Sequence, residues 1–234
     1  MPGSSPFPVP SSLYAWQNPS GSKSAADGRK LEDILAEMDR SAEDFSSMEA
    51  ELEYTKVTVV VNDHSKSKGK IYFEKSGGTT RVLIAFSEPT EKYVLFANGK
   101  VALYQPKIAE VDEYLISQKQ DLVEQFLLLG FGTAGTELQK AYQISLRGEA
   151  RADGQQAFVL ELIPKSAKVA AQFRRIELWI SPESWQPVEQ KFFEPGGDYV
   201  TTRYSGLKWN GKISEKTFRL PLKGKVRTVR PQVP

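Results

Sequence analysis

The apolar positions of the chain change period repeatedly, and each change marks a new element. Leu31, Ile34, Leu35, Met38, Ala42 and Phe45 recur at helical spacing and form one stripe of an amphipathic helix, with Asp27 placed to cap it. From Met48 the period becomes two. Glu49, Glu51 and Glu53 alternate with Ala50, Leu52 and Tyr54, and the run continues through Val57, Val59 and Val61. Such alternation belongs to a long strand with one wet face and one dry face. Asn62-Asp63-His64-Ser65 ends it as a turn. Further strands are predicted over 70–75, 81–87, 93–97, 101–104 and 108–116, separated by Gly77-Gly78, Glu88-Pro89 and Asn98-Gly99. Asn-Gly is the signal of a two-residue hairpin whose central residues both need positive φ.

The period turns helical again over Asp121–Leu129, where Leu122, Val123, Phe126, Leu127, Leu128 and Leu129 cover more of the circumference than one core-facing stripe requires. Gly130, Gly132 and Gly135 loosen the stretch that follows, and a short helix is predicted over Thr136–Lys140. Strands then return at 142–147, 157–164, 173–180, 187–193, 199–204, 212–219 and 225–229, with turns at Asp153-Gly154, Ser181-Pro182, Pro195-Gly196-Gly197 and Asn210-Gly211. Many short strands joined in sequence by tight turns predict an antiparallel meander closing toward a barrel. Residues 1–28 are rich in Pro, Ser and Gly and carry no periodicity. They are expected to form a disordered leader ahead of one domain over 29–234.

Two strands depart from alternation. Val82-Leu83-Ile84-Ala85-Phe86 and Phe158-Val159-Leu160-Glu161-Leu162-Ile163 are apolar on both faces, so each needs cover on its second face. The helices at 31–45 and 121–129 are the large apolar candidates for that cover, and a sheet curled around them is the economical arrangement. They either complete a sealed core or form a lid over an apolar cavity. Composition alone gives the sealed core the edge, while the glycines flanking the second helix lean toward a lid that moves.

Composition narrows the chemistry. The chain has 234 residues, of which 26% are charged and 40% hydrophobic, a globular balance with no apolar stretch long enough to span a membrane. With 31 basic and 29 acidic residues the net charge is +2, and nothing argues for nucleic acid. The basic residues Lys223, Lys225, Arg227 and Arg230 read as a solvated strand end. No cysteine is present, which excludes disulfides, thiolate metal sites and a cysteine nucleophile. His64, the single histidine, is expected in an exposed polar turn. Glu49, Glu51 and Glu53 share one strand face and read as a solvated row, as do Glu110, Asp112 and Glu113. No nucleophile elbow, phosphate-binding loop or dinucleotide fingerprint occurs. The expectation is a protein that is not an enzyme, with no cofactor, no metal and no catalytic residue. An enzyme acting on a lipid or glycan is the minor alternative.

Four blocks in order add a resemblance. They are Gly69–Lys75 followed by Arg81–Pro89; Asn98-Gly99-Lys100-Val101-Ala102-Leu103-Tyr104-Gln105-Pro106; Leu160–Lys165 followed by Ile176–Ile180 and Pro187-Val188; and Phe218-Arg219-Leu220-Pro221. In order and spacing, from about Leu31 to Arg230, the chain resembles the LolA family of outer-membrane lipoprotein carriers and sorting proteins. The resemblance implies a mainly β fold with a helical lid, an incomplete, half-open antiparallel barrel whose concave face holds the acyl chains of a lipoprotein. The implied lining is Leu52, Tyr54, Val82, Ile84, Phe86, Leu95, Leu103, Leu127, Leu128, Phe131, Leu160, Leu162, Leu178 and Phe192. The opposite parity of 82–86, with Leu83 and Ala85 inward, stays open. The family holds its lid with an arginine after the first hairpin. Here that turn reads Lys75-Ser76-Gly77-Gly78, so Arg81 is the displaced candidate latch and Lys75 the alternative.

The resemblance further implies a monomer in the periplasm, exchanging lipoproteins between an inner-membrane release complex and an outer-membrane acceptor. Met1-Pro2-Gly3-Ser4-Ser5 shows no secretory signal to match that location. A second function from a different class is a lipid- or lipoprotein-sensing regulatory domain of envelope-stress type.

Overall fold

The computed structural model describes residues 29–115 and 129–230. Helix α1 spans Leu31–Glu43. Strands β1 (Ser47–Thr58), β2 (Asp63–Ser76), β3 (Thr79–Glu88), β4 (Lys92–Ala97), β5 (Lys100–Gln105) and β6 (Glu110–Leu115) follow as a meander. Helix α2 (Gly135–Ala141) leads into β7 (Tyr142–Ala152) and β8 (Gln155–Pro164). After the single turn α3 (Ala167–Ala170) come β9 (Arg175–Ile180), β10 (Pro187–Phe193), β11 (Tyr199–Trp209) and β12 (Arg227–Val229).

All twelve strands belong to one sheet, in the order β12-β6-β5-β4-β3-β2-β1-β11-β10-β9-β8-β7. Strands β7 and β12 are its edges, so the barrel is incomplete. Every pairing is antiparallel except the last: Arg227, Thr228 and Val229 run parallel to Glu110, Val111 and Asp112. Two meanders, β1–β6 and β7–β11, meet at β1 and β11, where Leu52 faces Tyr204. Asn98 and Gly99 both take positive φ, as their hairpin requires.

Helix α1 forms where the stripe placed it, with Glu32 and Asp33 in its first turn, where the helix dipole favours carboxylates. The Asp33 carboxylate reaches back to accept from the Lys30 amide at 3.0 Å. Asp27, expected as the cap, lies outside the described residues. Ile34, Leu35 and Met38 are fully buried against Leu160, Leu162, Ile176, Leu178 and Ile180 of β8 and β9. Helix α2 packs across α1 because Gly135 has no side chain: a Cβ there would lie 2.5 Å from the Leu35 carbonyl oxygen. Asp39 of α1 then accepts from both the amide and the hydroxyl of Thr136, each at 3.0 Å, and so caps α2.

Four expectations need correction. Phe45 leaves the α1 stripe and enters a second core with Phe73, Phe131 and Trp209, because the helix stops at Glu43. His64 lies in strand β2 rather than in a turn. The turn is made earlier, by Val59–Val61 and the left-handed Asn62, and His64 pairs with Val57. Residues 212–219, expected as a strand, contain a 3-10 turn at Glu215–Phe218 capped by Ser214. The closing strand shrinks to Arg227–Val229 and pairs parallel rather than continuing the meander. The predicted helix at 121–129 and the leader at 1–28 lie outside the described residues, apart from Leu129.

Candidate functional site: an apolar cavity in the curled sheet

Alternate residues of each strand face the concave side. On β3 these are Val82, Ile84 and Phe86, which join one core with Leu52, Ile71 and Tyr204. The odd residues Arg81, Leu83 and Ala85 take the outer face, which settles the parity. Cross-strand register carries the concave face outward from there, Ile84 to Ile71 on one side and to Val94 on the other.

Between these strands and β10–β11 the described residues leave the concave face unfilled. A cavity of about 340 Å³ is walled by Leu52, Tyr54, Ile71, Ile84, Phe86, Lys92, Val94, Phe173, Gln190, Phe192, Val200, Thr202 and Tyr204. Strands β4 and β10 lie five places apart in the sheet yet share this space, so the sheet curls around it. The cavity's volume falls within the range of small-ligand sites.

One end of the cavity is stopped by aromatic rings. Phe131 stands edge-on to Tyr204 with centroids 4.9 Å apart and tilts against Trp209 at 6.2 Å, and Phe45 lies 5.1 Å from Phe73 behind them. Gly132 makes room for the Phe45 ring, since a Cβ would fall 2.3 Å from it, and takes the positive φ that glycine tolerates. Gln186 ties this plug to the rest: it accepts from the Gly132 amide at 2.8 Å and donates to the Ser41 hydroxyl at 2.7 Å. Helix α1 is thereby pinned to the plug.

The polar side chains in the wall are few, and two of them pair with each other. The Tyr204 hydroxyl donates to the Gln190 side-chain oxygen at 2.9 Å, and the Gln190 amide donates to the Leu129 carbonyl. Burial pushes the Tyr204 phenol well above its ordinary range, so it stays a neutral donor. Burial, with a smaller contribution from Glu194, also raises the Tyr54 phenol. At the other end of the cavity the Lys92 ammonium sits 4.6 Å above the Phe86 ring and supplies the one cationic group among the described residues of the wall. Such walls can shelter an apolar chain with its polar end toward Lys92. Among the described residues no cluster of metal-ligating side chains occurs.

Of the residues named from sequence, Leu52, Tyr54, Ile84, Phe86 and Phe192 come together around this space. Val82 is buried in the adjoining core, and Phe131 belongs to the plug. Leu160, Leu162 and Leu178 sit under α1 in the sealed core of the other half. Leu95 pairs with Leu83 on the outer face, and Leu103, opposite Val94, is half-buried beyond the cavity. Leu127 and Leu128 lie outside the described residues. Lys75 is exposed at the end of β2.

Arg81 is on the outer face. It makes a two-pronged contact with Glu215, at 2.6 and 2.8 Å, bonds Glu74, and lies 4.6 Å from the Phe218 ring. What it holds is the C-terminal segment. Sequence reasoning missed Ile71, Lys92, Val94, Phe173, Gln190, Val200, Thr202 and Tyr204. Strand parity could have supplied Ile71 and Val94. A bulge between Pro187 and Glu189 turns Val188 to the outer face, and beyond it Gln190 and Phe192 both face inward.

Glu49, Glu51 and Glu53 form an outward row in which each finds a lysine: Lys208 at 3.3 Å, Lys70 at 2.9 Å and Lys66 at 3.0 Å.

Fold and cavity together define an incomplete, half-open antiparallel barrel, the architecture that the sequence resemblance implies. A family model described as an uncharacterized protein-like family matches residues 78–214, more than half of the chain, and the chain belongs to that family. An uncharacterized protein of Methanocaldococcus jannaschii is 22% identical over 188 residues, 80% of this chain and 50% of the relative. The chain thus spans about half the length of that curated relative. Among solved structures, an uncharacterized conserved protein from Thermus thermophilus aligns with a TM-score of 0.54 and 14% identity, over 86% of this chain and 98% of that one. MucB aligns with a TM-score of 0.52 and 19% identity, over 83% of this chain and 63% of that one. It has also been solved as the Pseudomonas aeruginosa MucA/MucB complex. A LolA superfamily protein from Nitrosomonas europaea aligns at a TM-score of 0.39 and 13% identity, over 80% and 97%. At these identities the first two likenesses show the fold. Among the described residues, no helix is long and apolar enough to cross a membrane.

Proposed function

We propose that this protein is a periplasmic carrier that shelters the acyl chain of a lipoprotein, or of a like lipid, and moves it toward the outer membrane. The observation that carries the reading is the apolar cavity left among the described residues, with Lys92 toward one end and Phe131 and Tyr204 stopping the other. A sealed core would leave no such space in a curled sheet, because protein interiors are close-packed.

Size refines the cargo. A methylene takes about the volume of a water, about 30 Å³, so 340 Å³ holds roughly a dozen methylenes. That is room for an acyl chain. Burying it is worth about 0.8 kcal/mol per methylene, on the order of 10 kcal/mol in all. Undirected apolar walls supply this, and no catalytic group is required.

The test is binding of a fluorescent acyl probe to the delipidated protein, with mass spectrometry of solvent extracts from the protein as purified. Val94→Trp, which fills the cavity from a half-buried position, is expected to weaken probe binding at least about tenfold, while stability changes by less than about 1 kcal/mol. Probe binding that Val94→Trp leaves intact, or extracts without lipid together with no probe binding, sinks the carrier reading.

MucB, solved with MucA, makes the regulatory reading the one to set against it. A stable protein partner recovered with the delipidated chain and released by lipid would favour that reading.

A further inference from the structure

The turns β1–β2, β3–β4 and β5–β6 all fall on one rim of the sheet, because β1, β3 and β5 run in the same direction in the meander. The cavity reaches toward this rim, with Lys92 and Val200 its rim-side members. Two of the turns share one construction. Val59–Val61 and Pro106–Ile108 are each a 3-10 turn closed by a left-handed residue, Asn62 and Ala109, whose amide returns to the carbonyl three residues back. Both turns present apolar side chains to solvent. Val59, Val60 and Val61 are 52%, 87% and 70% exposed, and Ile108 is 58% exposed.

Consecutive apolar residues left mostly exposed at a turn tip gain little for folding. The tip is nonetheless held in place, because the Val59 amide donates to the Asp198 carboxylate at 2.9 Å from the neighbouring β10–β11 loop. Lysines stand behind both tips. Lys56 and Lys107 are exposed beside them, while Lys66 and Lys68 on β2 are paired with Glu53 and Glu88. Two further carboxylates of this rim are engaged elsewhere, Glu110 with Arg227 and Asp198 with the Val59 amide. Apolar tips ahead of a fringe of ammonium groups match the cross-section of an anionic bilayer interface, where the tips enter the acyl boundary and lysines remain among the headgroups.

We propose that Val59–Val61 and Ile108 are a membrane touch-down rim, on which the protein docks mouth-first on an anionic lipid surface. The cargo in this picture rests on the carrier reading above, but the docking itself does not. A docked mouth lets an acyl chain pass between bilayer and cavity without crossing water.

The test uses vesicles of phosphatidylethanolamine with phosphatidylglycerol. The full chain is expected to co-sediment with them, less so at high salt. Val60→Asp combined with Ile108→Asp is expected to lower the bound fraction at least about tenfold, because one buried valine is worth about a decade of partition. Both positions are exposed, so folding and acyl-probe binding in solution should be unchanged. The chain has no cysteine, so Val60→Cys can carry a single environment-sensitive dye, with Lys100→Cys at the opposite rim as the control. A blue shift on vesicles at position 60 but not at 100 supports the proposal. Equal shifts at both positions, no vesicle binding, or binding that the double aspartate variant keeps would each overturn it; so would recruitment by a protein in place of lipid. Vesicle binding with no acyl-probe uptake would leave the docking standing and overturn the carrier reading alone.

Discussion

The two halves of the sheet treat their concave faces differently. Between β7 and β10 the face is closed by α1, and Leu160, Leu162, Ile176, Leu178 and Ile180 have no exposed surface at all. Between β1 and β4 the face carries residues of the same kind, Leu52, Ile71, Ile84 and Phe86, but no described helix covers them and a cavity remains. The same alternation of apolar residues thus builds a core in one place and a binding wall in the other. What decides is the cover. Helix α1 is fixed over its half by Gly135, by the Asp39 cap on α2 and by the Ser41–Gln186 bond.

The sharpest way to break this comparison is to truncate one wall residue in each half. Leu160→Ala removes packing on all sides and is expected to cost about 3–5 kcal/mol, whereas Ile84→Ala, which already borders open space, should cost about 2 kcal/mol. Denaturant midpoints at constant slope measure the difference. Acyl-probe affinity should move in the opposite order, with Ile84→Ala affecting it and Leu160→Ala leaving it alone. Equal stability losses would mean that the cavity side is packed as tightly as the sealed side.

Two buried tyrosines offer a finer test. The Tyr204 hydroxyl, at the seam between the halves, bonds Gln190, and its removal leaves that oxygen short of a donor. The Tyr142 hydroxyl, in the sealed half, is buried without a hydrogen-bond partner among the described residues, and burial raises its pKa to about 12. Tyr204→Phe should therefore destabilise by about 1–2 kcal/mol, while Tyr142→Phe should be neutral or stabilising by up to about 1 kcal/mol. Thermal melts of the two variants check this, and a loss at Tyr142 matching that at Tyr204 would point to a partner for the first hydroxyl.

Much of the fold was legible in the sequence. Period-two runs and Asn-Gly turns located nearly all the strands, because register and turn chemistry are local. The helical stripe located α1 for the same reason. The doubly apolar runs at 82–86 and 158–163 called for cover on a second face, but they could not say that helix α1 closes one half while the other keeps a cavity. That depends on where α1 lands, which is set by contacts such as Gly135 on Leu35 that carry no periodic signal. Five of the named lining residues reached the cavity. Leu160, Leu162 and Leu178 went to the sealed core because apolar strand residues look alike whichever cover they meet. Gln190, Thr202 and Lys92 were passed over because a polar residue in a strand reads as solvated until its face is known. The strand expected at 212–219 failed where alternation met no free partner: β11 already has β1 and β10 on its two sides.

The smallest expected effect concerns the outer face, where Arg81 ties β3 to the C-terminal segment through Glu215 and Phe218. The paired guanidinium holds the Glu215 carboxyl below its ordinary value of 4.5. A carboxylate whose folded pKa is depressed stabilises the fold above the unfolded pKa and loses that contribution as pH falls through the folded value. The melting temperature of Glu215→Gln should therefore lie slightly below that of the parent chain at neutral pH. The gap should close as the pH drops below 4.5 and narrow with added salt, since the Glu215 side chain is 73% exposed. Acyl-probe affinity should not change, because the pair stands on the face away from the cavity. A change in affinity would instead couple the clasp to the cavity, and Arg81 would regain the latch role its position after the first hairpin suggests.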